Sequence, residues 1–187
     1  MDRKNQEYHP QPRRHDRMVQ ERIHDPYRAR LKMAGPAICP QCNAVYEQGR
    51  WHWGPRPTAA GGAAGGAAGE AAEEAVEEAV EEIVCPACRR IADRCPAGIV
   101  TLSGAYVGPH QDELLALVRH QHELETAEHP LNRIMDIRDT ADGFEVTTTD
   151  IHLPRRIGEA LRRTHHGDLT LHFDEGGYFA RVHWQAD

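Results

Sequence analysis

Apolar and polar positions alternate most regularly near the C-terminus. In "DLTLHFDEGGYFARVHW", Leu169, Leu171 and Phe173 take every second place, and Ala180, Val182 and Trp184 repeat the period. A two-residue turn at Gly176-Gly177 then pairs Phe173 with Ala180, Leu171 with Val182 and Leu169 with Trp184. All of these fall on one face, so a hairpin with this register is self-consistent. Upstream, "RIMDIRD" and "FEVTTTD" flank the loop "TADG" and predict a second hairpin. Ile137 should face Val146, Met135 should face Thr148, and Arg138 should meet Glu145 on the other side. Between the hairpins, "IHLPRRIGEALRRTHH" has helical period. Asp150 suits its N-cap, Pro154 is tolerated in the first turn, and Gly167 suits the C′ position. Ile157, Ala160 and Leu161 should face the sheet.

Earlier segments change period. "QDELLALVRHQHELETAEH" (111–129) predicts an amphipathic helix with Leu114, Leu117, Val118, Gln121 and Leu124 on one stripe. Asp112 and Glu113 favour its first turn, and Pro130 stops it. "IVTLSGAYV" (99–107) reads as a strand. Residues 59–69 are a Gly/Ala run, a flexible tether by composition. In "EAAEEAVEEAVEEIV" (70–84) the pairs Ala75/Val76, Ala79/Val80 and Ile83/Val84 mark one helical face. With no cations at i+4 this helix is weak in isolation. Residues 1–35 read as a polar arm, of which "HDPYRARLKM" (24–33) can order against the body.

The expected fold class is therefore α+β. A zinc ribbon-like module (36–104), with a low-complexity insert at 55–84, follows a disordered N-terminal arm (1–35). An amphipathic helix (105–130) and a small ββαββ domain (131–187) complete the chain.

At 187 residues the chain suits one ordinary domain or two small ones. It has no apolar run of about 20 residues and no N-terminal apolar stretch of signal-peptide type, so the cytoplasm is the default expectation. The net charge of −7 is local. Seven glutamates lie within residues 70–82, and the other 22 acidic residues equal the 22 basic ones. Charge alone thus argues neither for nor against nucleic acid. Lys4 and Lys32 are the only lysines, and neither lies in a G-x-x-x-x-G-K-[ST] loop, which excludes a P-loop nucleotide site.

The strongest chemical signal is Cys39/Cys42 and Cys85/Cys88, each a C-P-x-C knuckle. A knuckle turns two sulfurs toward one point, and two knuckles supply the four thiolates of a tetrahedral structural Zn²⁺ site. A redox pair would need the motif only once. A closed four-thiolate site has no open position for catalysis. The low-complexity stretch interrupts this one site. Loop closure costs only about 0.6 kcal/mol per doubling of length, against on the order of 10 kcal/mol from zinc, so the insert is tolerable. It reads either as a neutral expansion or as an acidic helix that recruits a protein partner. Cys95 would share a helix face with Cys88 and is expected to be a small buried filler rather than a ligand.

Arg50, Trp51 and Trp53 flank the first knuckle, and Arg89 and Arg90 the second. Trp51 and Trp53 would point to the same side of a strand. They would either stack on unpaired bases, with the arginines on phosphate, or shield the metal. Arg155, Arg156, Arg162 and Arg163 would form an outer basic strip on the C-terminal helix, an RNA footprint or a solvated face. The histidine clusters, His120/His122/His129 and His165/His166, match no metalloenzyme spacing, so a non-enzymatic protein is expected.

The segments "HDPY", "CPQCNAVYEQGRWHWG", "CPACRRIADRCPAGIVTLSG", "HPLNRIM" and "TTDIHLPRRIGEAL" together resemble a family of small uncharacterised bacterial proteins with paired CPxC zinc knuckles. That family is distantly similar to the archaeal and eukaryotic adaptor that binds the large ribosomal subunit and supports its export. The resemblance spans most of 24–184 apart from the insert. It implies binding to the ribosome or to structured RNA; export has no meaning in a bacterium. In that family an aromatic is expected at position 95, which implies that Cys95 is not a ligand. The alternative to RNA binding is a zinc-stapled adaptor whose acidic insert and polar arm hold a protein.

Overall fold

The computed structural model describes residues 25–29, 35–57, 80–174 and 177–187. The polar arm before residue 25 and most of the Ala/Gly/Glu insert lie outside these, as does Gly176 of the expected turn.

The first knuckle sits in a small sheet of order β3-β2-β1-β4. Its strands are β1 (Ala37–Ile38), β2 (Val45–Glu47), β3 (Arg50–His52) and β4 (Glu81–Glu82). A one-turn helix, α1 (Pro26–Ala29), precedes it, and α2 (Pro86–Asp93) follows. Glu81–Glu82 were expected to end a helix. They are instead a strand, paired in parallel with Ala37–Ile38, and the Ile83 amide donates to the Ile38 carbonyl at 3.0 Å. Pairing with β1 supplies backbone partners that a glutamate-rich helix end lacks. The two ends of the insert meet through side chains instead, Arg56 Nη2 pairing with Glu82 Oε1 at 3.3 Å.

The remaining strands form a second sheet of order β6-β7-β5-β9-β8. They are β5 (Gly98–Ser103), β6 (Ile134–Thr140), β7 (Gly143–Thr148), β8 (Asp168–Phe173) and β9 (Ala180–Gln185). Two helices, α3 (Gln111–Glu128) and α4 (His152–Thr164), complete the architecture. The expected hairpin–helix–hairpin order is present, but the hairpins do not pair with each other. β5, grouped by the sequence with the cysteine module, lies between them, antiparallel to β7 and parallel to β9. Its alternating Gly98, Val100 and Leu102 continue the apolar rows of both hairpins: Val100 is level with Val146 and Val182, Leu102 with Phe144 and Trp184. Those residues, with Leu114 and Val118 of α3 and Leu153, Ile157 and Leu161 of α4, make the main core. Burial of such a set is the main stabilising term of the domain.

Both hairpin registers follow the alternation, with one exception. Ile137 meets Val146 and Arg138 meets Glu145, but Ile134 rather than Met135 faces Thr148. The Thr149 amide donates to the Arg133 carbonyl, and the Arg133 amide donates to Thr149 Oγ1, each at 2.9 Å. This clamp fixes the strand start one residue tighter and forces Met135 into a bulge.

Helix ends also differ in detail. Asp150 Oδ2 accepts from the His152 and Leu153 amides at 2.6 and 3.1 Å, so its carboxylate caps α4 as expected, but from one residue before the N-cap position, which Ile151 holds. Gly167 is not the C′ residue, because α4 ends at Thr164 with His165 in extended backbone. A Cβ at Gly167 would lie 2.6 Å from Trp184 Cε2, and glycine lets the indole close over the chain. On α3 the buried face is Leu114, Val118 and Glu125, while Leu124, assigned to the stripe, is 55% exposed. Glu125 turns inward because it finds polar partners there.

Candidate metal centre and adjoining cleft

The two knuckles are aligned by the parallel β1–β4 pair. Cys39 directly follows β1, and a tight turn brings Cys42 back beneath it. In that turn the Asn43 amide donates to the Cys39 carbonyl and the Cys39 amide to the Ala44 carbonyl, both at 2.8 Å, and Asn43 adopts φ 62°. Cys85 caps α2, accepting from the Cys88 amide at 3.4 Å, with Pro86 opening the helix. The Cys85 amide in turn donates to Cys39 Sγ at 3.3 Å.

The sulfurs of Cys39, Cys42, Cys85 and Cys88 all lie within 4.8 Å of one another, the only such group of potential metal ligands among the described residues. Four cysteines so placed can hold one metal ion. A tetrahedron with arms of about 2.3 Å has edges of about 3.8 Å, and Cys42 and Cys85 Sγ are 3.7 Å apart. All the donors are sulfur, and backbone amides point at two of them. The residues therefore fit a thiophilic metal. Cys95 stands outside the group. α2 ends at Asp93, Arg94 turns left-handed, and Cys95 is exposed, so it is neither a ligand nor the expected buried filler.

Arg133, which the sequence did not single out, completes the centre. Its Nη2 donates to Cys42 Sγ at 2.9 Å and its Nη1 to Cys88 Sγ at 3.4 Å. Its Nε donates to the Pro130 carbonyl at 2.5 Å. The hydrogen bond shared with Cys85, and the Arg133 guanidinium, lower the Cys42 thiol to about 4, although burial opposes this. The contact with Cys42, and then burial, push the Cys85 thiol up. Burial raises Cys88 to about 11. Arg133 is itself half-buried. Its burial disfavours the charge, but the hydrogen bonds and charge of Cys42 outweigh this and raise its pKa.

Beside the metal centre is a cleft of about 490 Å³. Tyr46, Arg50 and Trp51 of the knuckle sheet line it together with Glu125, Arg155 and Arg156 of α3 and α4. Trp51 is half-buried against the cysteine cluster, with the Tyr46 ring 5.5 Å away. Glu125 is 6% exposed; its Oε2 pairs with Arg156 Nε at 2.6 Å and its Oε1 accepts from Asn132 Nδ2 at 3.0 Å. Two groups from opposite ends of the sequence, Arg50/Trp51 and Arg155/Arg156, thus share one cavity.

The other residues suspected of RNA contact lie elsewhere. Arg90 is 3% exposed, pairs with Asp25 at 2.7 Å, donates to the Cys95 carbonyl and lies over the Tyr27 ring. It anchors α1 to α2 and is too buried to touch phosphate. Trp53 donates from Nε1 to the Thr126 carbonyl at 2.5 Å, with Arg133 5.7 Å from its ring. Its ring therefore bridges the two modules rather than joining Trp51 on a common platform. Arg89 is half-buried on α2, and Arg162 and Arg163 are exposed in the last turn of α4, away from the cleft.

Among the described residues no helix is long and apolar enough to cross a membrane. A scan of protein-family models and searches of curated proteins and of solved structures find no match to this chain.

Proposed function

We propose that the chain is a non-enzymatic, zinc-stapled RNA-binding protein of the cytoplasm, associated with the ribosome. The observation that carries the reading is the cleft in which Arg50 and Trp51 meet Arg155 and Arg156. An aromatic ring beside several guanidinium groups is the combination that holds an unpaired base and its phosphate. Zinc is the metal that suits four thiolates in a closed tetrahedral site. Its role is structural. It fixes the knuckle sheet, and Arg133 and Trp53 tie that sheet to the α3–β6 corner, so the two walls of the cleft keep their separation.

The test is sedimentation of the protein in a lysate of its own cells through a sucrose gradient, at low and high salt, with and without ribonuclease. Co-migration with a ribosomal subunit, lost after ribonuclease, is expected. A protein that stays at the top of every gradient contradicts the proposal.

A further inference from the structure

The cleft contains one group that phosphate binding does not need. Glu125 places a carboxylate, 6% exposed, among the arginines that would receive an anion. A buried acid is costly to keep and works against an anionic ligand nearby. It is held in place from two sides, by Asn132 Nδ2 on Oε1 and Arg156 Nε on Oε2. A carboxylate has about four acceptor positions, and these two contacts occupy one on each oxygen. The remaining acceptor capacity on both oxygens is available to donors of a molecule in the cleft.

A nucleobase supplies donors along its pairing edge, and the four bases differ there. Guanine presents two adjacent donors, N1–H and the N2 amine, which match the two oxygens of one carboxylate. Adenine and cytosine each set a ring acceptor beside their amine, and uracil flanks its single N–H with two carbonyls. An acceptor aimed at a carboxylate is repelled, and charge-assisted bidentate pairs are the strong ones.

We infer that the cleft is a guanine-selective nucleotide site. Glu125 reads the N1–H and N2 amine, Trp51 offers its ring to the base, and Arg50 and Arg155 take the phosphate. The cavity of about 490 Å³ lies within the range of about 300–1,000 Å³ that small-molecule sites occupy. Asn132 and Arg156 act as positioning residues, each holding one oxygen of the Glu125 carboxylate in the cleft wall. The inference rests on the RNA-binding reading above and specifies which base the RNA presents.

The experiment uses the full zinc-loaded chain. Calorimetric titration with guanosine, adenosine, cytidine, uridine and inosine 5′-monophosphates is run beside anisotropy of labelled single-stranded RNAs that contain or lack guanine. Guanosine monophosphate should bind at least tenfold tighter than the other three standard nucleotides. Inosine monophosphate, which lacks only the N2 amine, should bind about tenfold more weakly than guanosine monophosphate. Glu125→Gln, which replaces one acceptor with a donor, should bring the guanosine-to-adenosine ratio below threefold. The inosine comparison needs no variant, so it decides the matter even if Glu125→Gln folds poorly. Equal binding of all bases, or a preference for adenine, with RNA still bound, overturns the guanine assignment and leaves RNA binding standing. Failure to bind any nucleotide or RNA overturns both.

Discussion

Arg133 Nη2 lies 2.9 Å from Cys42 Sγ, although the two residues are 91 positions apart. The bond joins the first residue before β6 to the first knuckle and places a guanidinium on a cluster of four sulfurs. A metal held by four thiolates carries excess negative charge, and a cation hydrogen-bonded to two of the ligands offsets it. Outer-sphere partners of this kind are worth about 10–100-fold in metal affinity. Arg133→Ala should therefore weaken zinc retention by about that factor in competition with a chromophoric chelator. Arg133→Lys should recover only part of it, because an ammonium cannot span Cys42 and Cys88 as the planar fork does. Unchanged retention in Arg133→Ala would remove Arg133 from the metal centre.

His122 gives a pH dependence. Burial, and then the nearby Arg133 charge, lower its pKa below the usual 6.5, and its Nε2 is buried without a hydrogen bond. Below pH 6.5 the unfolded chain takes up a proton that the folded chain refuses. Stability from this residue is complete above the unfolded value and is lost as pH falls to the lowered folded value. The loss in urea midpoint between pH 7.5 and pH 5.5 should be smaller in His122→Leu than in the parent. Equal losses would show that His122 charges as readily in the folded protein as in the unfolded one.

Gly98 opens the central strand where α4 begins. A Cβ there would meet Pro154 Cγ at 2.4 Å, Thr148 Oγ1 at 2.7 Å and the Asp150 carbonyl at 2.8 Å. The neighbours are a proline ring, a hydrogen-bonded threonine and backbone, none of which yields easily. Gly98→Ala should cost about 2–3 kcal/mol by overpacking, read from chemical denaturation. At Gly49, where a Cβ would meet nothing within 4 Å, φ is +82°, so alanine there should cost less, through backbone strain alone.

Arg50 and Arg155 should contribute to the salt dependence of RNA binding. Each phosphate contact on a single strand adds about 0.7 to the slope of log K against log salt. The double variant Arg50→Ala/Arg155→Ala should lower that slope by about 1.4. Arg90→Met should leave the slope unchanged, since Arg90 is 3% exposed beneath Asp25, and should act on stability alone. A slope that falls with Arg90→Met and not with the double variant would place the RNA elsewhere.

Much of this arrangement was legible wherever the signal is local. Alternation alone paired Leu169 with Trp184 and Ile137 with Val146, because one wrong step would turn every apolar side chain to solvent. The C-P-x-C spacing named the four sulfurs that come together. What stayed hidden depends on distant partners. Glu81–Glu82 carry helical composition, yet a parallel neighbour 44 positions earlier makes them a strand. Met135 looks like a regular strand position until Thr149 clamps Arg133. Glu125 is buried and Leu124 exposed because Arg156 and Asn132 reward the acid. Arg90 looks like a surface arginine beside a knuckle, and Asp25 takes it inside. Arg133 follows "HPLN" with nothing in its neighbours to connect it to a cysteine.

The most direct test of the account is ultraviolet cross-linking of the zinc-loaded protein to cellular RNA, followed by mass spectrometry of the cross-linked peptides. The account predicts nucleotide adducts on the peptide that carries Tyr46, Arg50 and Trp51, and their loss in Arg50→Ala/Arg155→Ala. RNA adducts confined to residues 1–24, or no adducts from a folded, zinc-loaded chain, would contradict it.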